Sequence, residues 1–123
     1  MPLNVRVEPG RTLAQMVHLE GRLDTETVEV LDRELEALLA GDVKVLVFDL
    51  SALDYISSAG LRSLFGAQKS MEKRGGESLL LNPQPQVQKV FDIVKAVPLK
   101  TVFRSVAELD SYLDTIQRKA REE

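Results

Sequence analysis

The sequence contains no cysteine and no tryptophan, and His18 is its one histidine. The lack of cysteine excludes disulfides, thiolate metal sites and cysteine nucleophiles, and it agrees with a reducing compartment. A single histidine without a second candidate ligand predicts a structural strand residue rather than a metal ligand. We therefore expect no metal site and no cofactor.

Long apolar segments are also missing. No apolar run approaches the length of a membrane span, and residues 1–6 lack the charged start and apolar core of a signal peptide. The formal net charge of -3 is mild and gives no reason to expect DNA or RNA as a partner. We expect a cytoplasmic protein that binds neither membranes nor nucleic acid.

Sequence motifs for catalysis are scarce. The chain has no phosphate-binding loop of the Walker type and no Gly-x-Ser-x-Gly elbow. One histidine and no cysteine exclude most pairs of nucleophile and base. Ser57 or Ser58 as a nucleophile would have Asp54 as its one ionisable neighbour in the sequence. We therefore expect no enzymatic activity and assign no catalytic residue.

The composition is typical of a soluble globular protein, with 44% hydrophobic and 28% charged residues. A chain of 123 residues predicts one domain and is long enough to bury a core without disulfides. We place this domain at residues 1–116. Residues 117–123 are mostly charged, and we expect them to form a frayed C-terminal tail.

Apolar periodicity predicts alternating strands and helices. Residues 3–7 and 13–19 predict a hairpin with a turn at Pro9-Gly10. The next elements predicted are a helix from an N-cap at Asp24 or Thr25 to Gly41, a strand buried on both faces at 43–50, and a helix from Ser58 to Gly75-Gly76. After them come a strand at 78–81, a helix from Asn82-Pro83 to Pro98, a short strand at 101–103 and a helix that begins with a capping box at 105–108. This alternation predicts an α/β fold with a mixed sheet and helices packed against it.

Ser57 and Ser58 stand between the buried strand and the next helix. One hydroxyl can cap the helix by accepting a hydrogen bond from a free backbone N–H. The other can stand exposed at the positive end of the helix dipole, where an anion is stabilised. Capping alone would also account for both serines, so the residues by themselves leave the two interpretations open.

The segment around these serines resembles a known family signature. Asp49-Leu50-Ser51, followed by Tyr-Ile-Ser-Ser-Ala-Gly-Leu at 55–61, is similar to the motif of STAS domains, the anti-sigma-factor antagonist family. The run 21–24, Gly-Arg-Leu-Asp, resembles the early Gly-x-Leu-Asp motif of that family, and Gly75-Gly76 precedes a strand as it does there. The resemblance covers nearly the whole chain. It implies a small, mainly parallel mixed sheet with about four helices mostly on one side.

The resemblance also implies a regulatory cycle. The unphosphorylated protein would bind an anti-sigma factor that is also a serine kinase of the GHKL type, and would release the sigma factor. Ser58 matches the family's phosphorylation site, whereas the capping argument gives Ser57 as the competing acceptor. Phosphorylation would weaken binding, and a serine phosphatase would restore it. Ser57 stands where the family usually has aspartate, and Ala59 stands where serine or threonine is usual.

A partner surface is predicted on the helix that follows Ser58. Four small residues fall on the side opposite its apolar stripe, namely Ala59, Ser63, Gly66 and Ser70. The residues predicted to contact the partner are Asp24, Ser57, Ser58, Ala59, Arg62, Ser63, Gly66 and Lys69. The alternative for the small residues is internal packing of another helix, and the alternative for Asp24 is a helix N-cap.

A second class of function remains open at this level. Some STAS domains serve as accessory or scaffold subunits in signalling assemblies or lipid transport, or bind nucleotides, and in these the serine need not be a switch. We expect the chain to be a monomer or a weak dimer in either case.

Overall fold

The computed structural model describes residues 2–9, 14–96 and 105–122. In chain order, the described part forms β1 (Leu3–Pro9), β2 (Ala14–Leu23), α1 (Val28–Leu39), β3 (Val45–Ile56), α2 (Ser58–Lys73), β4 (Glu77–Leu81), α3 (Pro85–Ala96) and α4 (Val106–Glu122). The predicted turn residue Gly10, the helix stop at Pro98 and the short strand at 101–103 lie outside the described residues.

The four described strands form one sheet in the order β1-β2-β3-β4. The hairpin partners β1 and β2 are antiparallel, whereas β2 and β3, and β3 and β4, are parallel. Parallel neighbours need a crossover, and α1 and α2 supply the two crossovers between them. The predicted α/β class, with a mainly parallel mixed sheet and four helices, is confirmed within this part of the chain.

The strand β3 alternates between buried and partly exposed residues from Val45 onward. Leu46, Phe48 and Leu50 are buried in the core, and the residues between them are partly exposed. The prediction of a strand buried on both faces is therefore wrong, because the helices cover mainly one face of the sheet. The strand also continues past the expected end at residue 50 to Ile56, pairing with β2 through two register shifts.

The core stripe of α2 agrees with the prediction for Leu61, Leu64 and Met71, which are all buried. Phe65 is only partly buried, and Ala67 is an additional buried residue. The helix ends at Lys73 as expected, and Gly75 follows it with a φ of 74°, a backbone conformation that favours glycine.

Two predicted helix starts are shifted. The N-cap of α1 is Thr27 rather than Asp24 or Thr25, because residues 24–27 form a turn before the helix begins. The helix α3 begins at Pro85 rather than at Asn82-Pro83, and Asn82 adopts a φ of 51°, in the left-handed region. In contrast, the Ser105 hydroxyl accepts the Glu108 N–H at 3.1 Å, so half of the predicted capping box is present.

The C-terminal helix includes residues that were predicted to form a frayed tail. The helix α4 runs to Glu122, and Gln117, the first residue of the expected frayed segment, is only 1% exposed. Leu113, one turn earlier, is fully buried in the same core cluster as the sheet residues. Residue 117 therefore belongs to the packed domain, because a helix face continues for as long as its side chains meet the core. None of the helices in the described ranges has the length and apolarity to cross a membrane.

Candidate functional site

The end of β3 leads directly into the first turn of α2, and Ser57 forms the corner. The Ser57 N–H donates to the carbonyl of Leu23 at 3.0 Å, which holds the ends of β2 and β3 together. Its hydroxyl accepts the Gly60 N–H at 3.3 Å, so Ser57 is the N-cap of α2. Ser57 is 3% exposed, and its hydroxyl is committed to the helix.

Ser58 is 8% exposed, which contradicts the one of the two interpretations that placed an exposed hydroxyl at the start of the helix. Its Oγ is buried and has no hydrogen-bond partner among the described residues. Its backbone N–H donates to Oδ1 of Asp110 at 2.8 Å. Asp110 belongs to α4 and is 52 positions away in the sequence, so α4 lies against the first turn of α2.

Gln117 fastens α4 to the end of β3. Its Oε1 accepts the Ile56 N–H at 3.0 Å, and its Nε2 donates to the Ile56 carbonyl at 2.8 Å. One amide side chain thus satisfies both backbone groups of Ile56, which lies beyond the pairing of β3 with β4 that ends at Asp49. Neither Gln117 nor Asp110 is among the residues predicted from the sequence. A signal for Gln117 exists, because it follows Leu109 and Leu113 at four-residue spacing on the core stripe.

Asp24 lies on the other side of this corner, directly after Leu23. Its Oδ1 accepts the N–H groups of Glu26 at 3.0 Å and Thr27 at 3.1 Å, and its Oδ2 accepts Nε of Arg22 at 2.9 Å. Burial alone would raise the pKa of Asp24, but these hydrogen bonds outweigh it and hold the pKa below its usual value. Asp24 therefore caps the turn before α1 as a carboxylate.

Tyr55 joins the two sides of the corner. The Arg22 guanidinium lies 3.6 Å from the centroid of the Tyr55 ring, a cation–π contact. Burial raises the pKa of Tyr55 first, and the Asp114 carboxylate raises it further, while Arg22 opposes the shift. Asp110 and Asp24 act in the same direction as Asp114, so three carboxylates act on the residue that precedes Ile56-Ser57-Ser58.

The predicted partner face of α2 is open around Gly66, which is exposed, whereas Ala59, Ser63 and Ser70 are partly buried. A methyl group at Gly66 would meet no atom within 4 Å, so no helix of the described residues packs there. Arg62 and Lys69 are exposed, and Ala59 is partly exposed. Ser63 is also partly exposed, but its hydroxyl donates to Oδ1 of Asp32 in α1 at 2.6 Å.

The corner brings Asp24, Ser57 and Ser58 to one edge of the sheet, and the open face of α2 leads away from it. Among the described residues, no group of three or more histidines, cysteines or carboxylates is placed so that it could hold a metal ion. His18 instead contacts Asp49 across β2 and β3, with 2.7 Å between Nδ1 and Oδ2, as expected of a structural strand residue.

Comparison with known proteins identifies the family. The model of the STAS domain matches residues 4–109. The chain belongs to the STAS domain family. The matched range includes Asp24, the whole of α2 and the first residues of α4, so the corner and the open face both lie inside the STAS domain.

Two curated relatives match part of this chain. The BtrV protein of Bordetella bronchiseptica is 39% identical over 75 residues, which are 61% of this chain and 65% of BtrV. The anti-sigma F factor antagonist of Lysinibacillus sphaericus is 31% identical over 77 residues, 62% of this chain and 66% of that protein. The chain therefore aligns with slightly less than two thirds of the length of each relative.

Solved structures show the same fold. The anti-sigma factor antagonist SpoIIAA in its unphosphorylated form matches with a TM-score of 0.64 and 25% identity, over 73% of this chain and 83% of SpoIIAA. The phosphorylated form of SpoIIAA matches with the same TM-score and identity, over 74% of this chain and 83% of SpoIIAA. The relatives named as antagonists are regulatory rather than catalytic proteins.

Proposed function

We propose that this STAS domain is an anti-sigma-factor antagonist. Its unphosphorylated form binds an anti-sigma factor that is also a serine kinase of the GHKL type, and binding releases the sigma factor. The observation that carries this proposal is the open face of α2 at Gly66, which adjoins the Ser57-Ser58 corner. The names of the relatives, anti-sigma F factor antagonist and SpoIIAA, supply the class of partner.

The proposed contact surface combines the corner with this face. It consists of Asp24, Ser57, Ser58, Ala59, Arg62, Ser63, Gly66 and Lys69. Small side chains at Ala59, Ser63 and Gly66 allow a second backbone to approach closely, and Arg62 and Lys69 provide a charged rim of the kind found around interface cores.

Phosphorylation of Ser58 is the proposed switch. A phosphate adds about two negative charges at neutral pH, and the helix dipole at the start of α2 stabilises such a charge. The phosphate would act at the corner, beside the face that the partner covers. Ser57 is the weaker acceptor, because its hydroxyl already caps the helix. A serine phosphatase would reverse the step, in the cytoplasm.

The test is a binding and phosphorylation experiment with the anti-sigma factor encoded in the same genome. Purified chain is titrated against the anti-sigma factor before and after incubation with ATP, and the phosphopeptide is located by mass spectrometry. We expect binding without ATP, loss of binding after phosphorylation, and phosphate on Ser58. Phosphate that persists in Ser58→Ala would refute the assignment of the acceptor, and no binding in either state would refute the antagonist function.

The burial of Ser58 favours one second candidate, an accessory STAS subunit without a phosphorylation switch. Such a subunit would copurify with a membrane complex or bind labelled ATP by itself. Pull-down from the native cell distinguishes the two, because the antagonist is recovered with a soluble GHKL-type ATPase instead.

A further inference from the structure

The helix α4 is fastened to the segment that carries Ser58 at two points. Asp110 accepts the Ser58 N–H, and Gln117 binds both backbone groups of Ile56. These two residues are seven positions apart with the fully buried Leu113 between them, a spacing that puts all three on one face of a helix. That face of α4 therefore lies across residues 56–58.

This closed arrangement leaves no space for chemistry at Ser58. Its Oγ is buried and unpartnered among the described residues, and the whole side chain is 8% exposed. Phosphoryl transfer needs the acceptor oxygen in line with the donor phosphate, and a phosphoryl group then adds one phosphorus and three oxygens. An oxygen buried in this way admits neither the approach of the donor nor the product.

The charges around the corner also disfavour a phosphate on Ser58 while α4 is packed. The Asp110 carboxylate already occupies the Ser58 N–H, one of the amides at the N-terminus of α2 that would stabilise a phosphate. Asp114 and Asp24 also act on this neighbourhood, and Arg22 counters them from its stacked position on Tyr55. A phosphate on Ser58 would compete with Asp110 for the same donor and would be repelled by its charge.

We propose that residues 106–117 of α4 form a lid over Ser58, and that lid closure and phosphorylation exclude one another. The serine reacts only while the lid is displaced, and the phosphate then keeps it displaced by taking the α2 amide from Asp110. In the reaction the bond between Oγ and the γ-phosphorus forms as the bond from that phosphorus to ADP breaks, and the hydroxyl proton passes to a base of the kinase. The identity of the kinase rests on the proposed function.

Two consequences follow for regulation. The observed rate of phosphorylation is the rate constant of the open form multiplied by the fraction of molecules that are open. The stability of the closed lid therefore sets the rate at which the protein is inactivated. The lid is also a second surface through which a ligand can act, because anything that binds α4 more tightly in one state shifts the population of that state.

The absence of cysteine makes a direct test possible without any kinase. Ser58→Cys introduces a single thiol, and its rate of reaction with a small aromatic disulfide measures how often the lid is open. Ser111→Cys gives the reference, because Ser111 is exposed on the same helix. We expect the thiol at position 58 to react much more slowly than the thiol at position 111. Equal rates would refute the lid.

Two substitutions of Asp110 in the Ser58→Cys background separate lid opening from charge. Asp110→Ala removes the acceptor and the charge, whereas Asp110→Asn removes the charge and keeps an oxygen that accepts the N–H of residue 58. Rates are compared on the high-pH plateau, where the thiol is fully ionised and changes in its pKa no longer matter. We expect alanine to raise the plateau rate about fivefold, which corresponds to the loss of a capping bond of about 1 kcal/mol. Asparagine should leave it close to the parent rate, and equal plateau rates for alanine and asparagine would refute the role of the Asp110 contact.

The effect of the phosphate is measured by hydrogen exchange on protein with phosphoserine incorporated at position 58 during translation. The Ile56 amide reports on the lid, because its bonding partner is Gln117. We expect faster exchange at Ile56 in the phosphorylated chain and unchanged exchange at Leu31, which is buried in α1. Equal protection of Ile56 in both forms would refute the exclusion. Both experiments use the chain alone, so failure to bind an anti-sigma factor would refute the proposed function and leave these results intact.

Discussion

The first turn of α2 and the middle of the same helix have opposite surroundings, and each contains one glycine. A methyl group at Gly60 would lie 2.7 Å from Cγ of Leu23 and 2.9 Å from Cγ1 of Ile56, both of which belong to fully buried side chains. A methyl group at Gly66 would meet nothing within 4 Å. Packing therefore requires glycine at position 60 but does not explain the glycine at position 66.

The first turn of α2 is therefore packed inside the domain, whereas the open face at Gly66 is accessible to a partner. Glycine inside a helix is less favourable than alanine by roughly 1 kcal/mol, so Gly66 lowers the stability of the domain without an internal benefit. At the first turn, by contrast, the small residues allow the ends of β2 and β3 to approach α2, and α4 then closes over them. A partner on the open face is the interpretation that accounts for Gly66, and the following substitutions test it from both ends of the helix.

The largest effect is expected at the closed end, in Gln117→Ala. This substitution leaves the N–H and the carbonyl of Ile56 without their partner, and each buried group left unpaired lowers the free energy of unfolding by about 1–3 kcal/mol. Urea denaturation measures the loss. Arg118→Ala is the matched control, because the next side chain along α4 is 64% exposed, and it should stay within about 0.5 kcal/mol of the parent. Equal effects of the two substitutions would mean that α4 does not close this end.

The two glycines provide the direct comparison. Gly60→Ala should lower the free energy of unfolding by about 1–3 kcal/mol, because the added methyl overpacks against Leu23 and Ile56. Gly66→Ala should raise it by up to about 1 kcal/mol through better helix propensity. Thermal and urea unfolding of both variants check the opposite signs. A loss of stability in Gly66→Ala would show that the open face is packed after all.

Gly66→Leu tests whether a partner uses the open face. We expect an unchanged or slightly higher melting temperature, and an affinity for the anti-sigma factor at least about tenfold lower, which corresponds to 1.4 kcal/mol of steric conflict. Lys89→Leu introduces the same side chain at an exposed position of α3 and should bind normally. Full-strength binding by a stable Gly66→Leu variant would remove this face from the interface.

The periodic parts of the molecule could be predicted from the sequence, and the closed corner could not. Leu61, Leu64 and Met71 repeat at helical spacing, so local sequence sufficed to predict the buried face of α2. The contact between the Ser58 N–H and Asp110 joins residues that are 52 positions apart, so the local sequence pattern could not predict it. The error over β3 has a related cause, since an apolar run does not reveal how many faces of a strand the helices cover.

The smallest effect is expected at Asp24, and it distinguishes a cap from a contact residue. The pKa of Asp24 is lowered in the folded protein, so its stabilising contribution is complete above the usual value of 3.8 and is lost as the pH falls below that value. Asp24→Asn keeps an oxygen for the N–H groups of Glu26 and Thr27 but loses the charge that faces Arg22. Above pH 5 the variant should therefore be less stable by under about 1 kcal/mol, and the gap should narrow as the pH falls below 3.8. Unfolding curves between pH 2 and pH 7 measure this difference in stability, with Glu29→Gln on the exposed side of α1 as the charge control.

If Asp24 is also part of the partner surface, the Asp24→Asn variant binds the anti-sigma factor more weakly at neutral pH while remaining almost fully folded. Normal binding would leave Asp24 with the turn before α1 as its whole role.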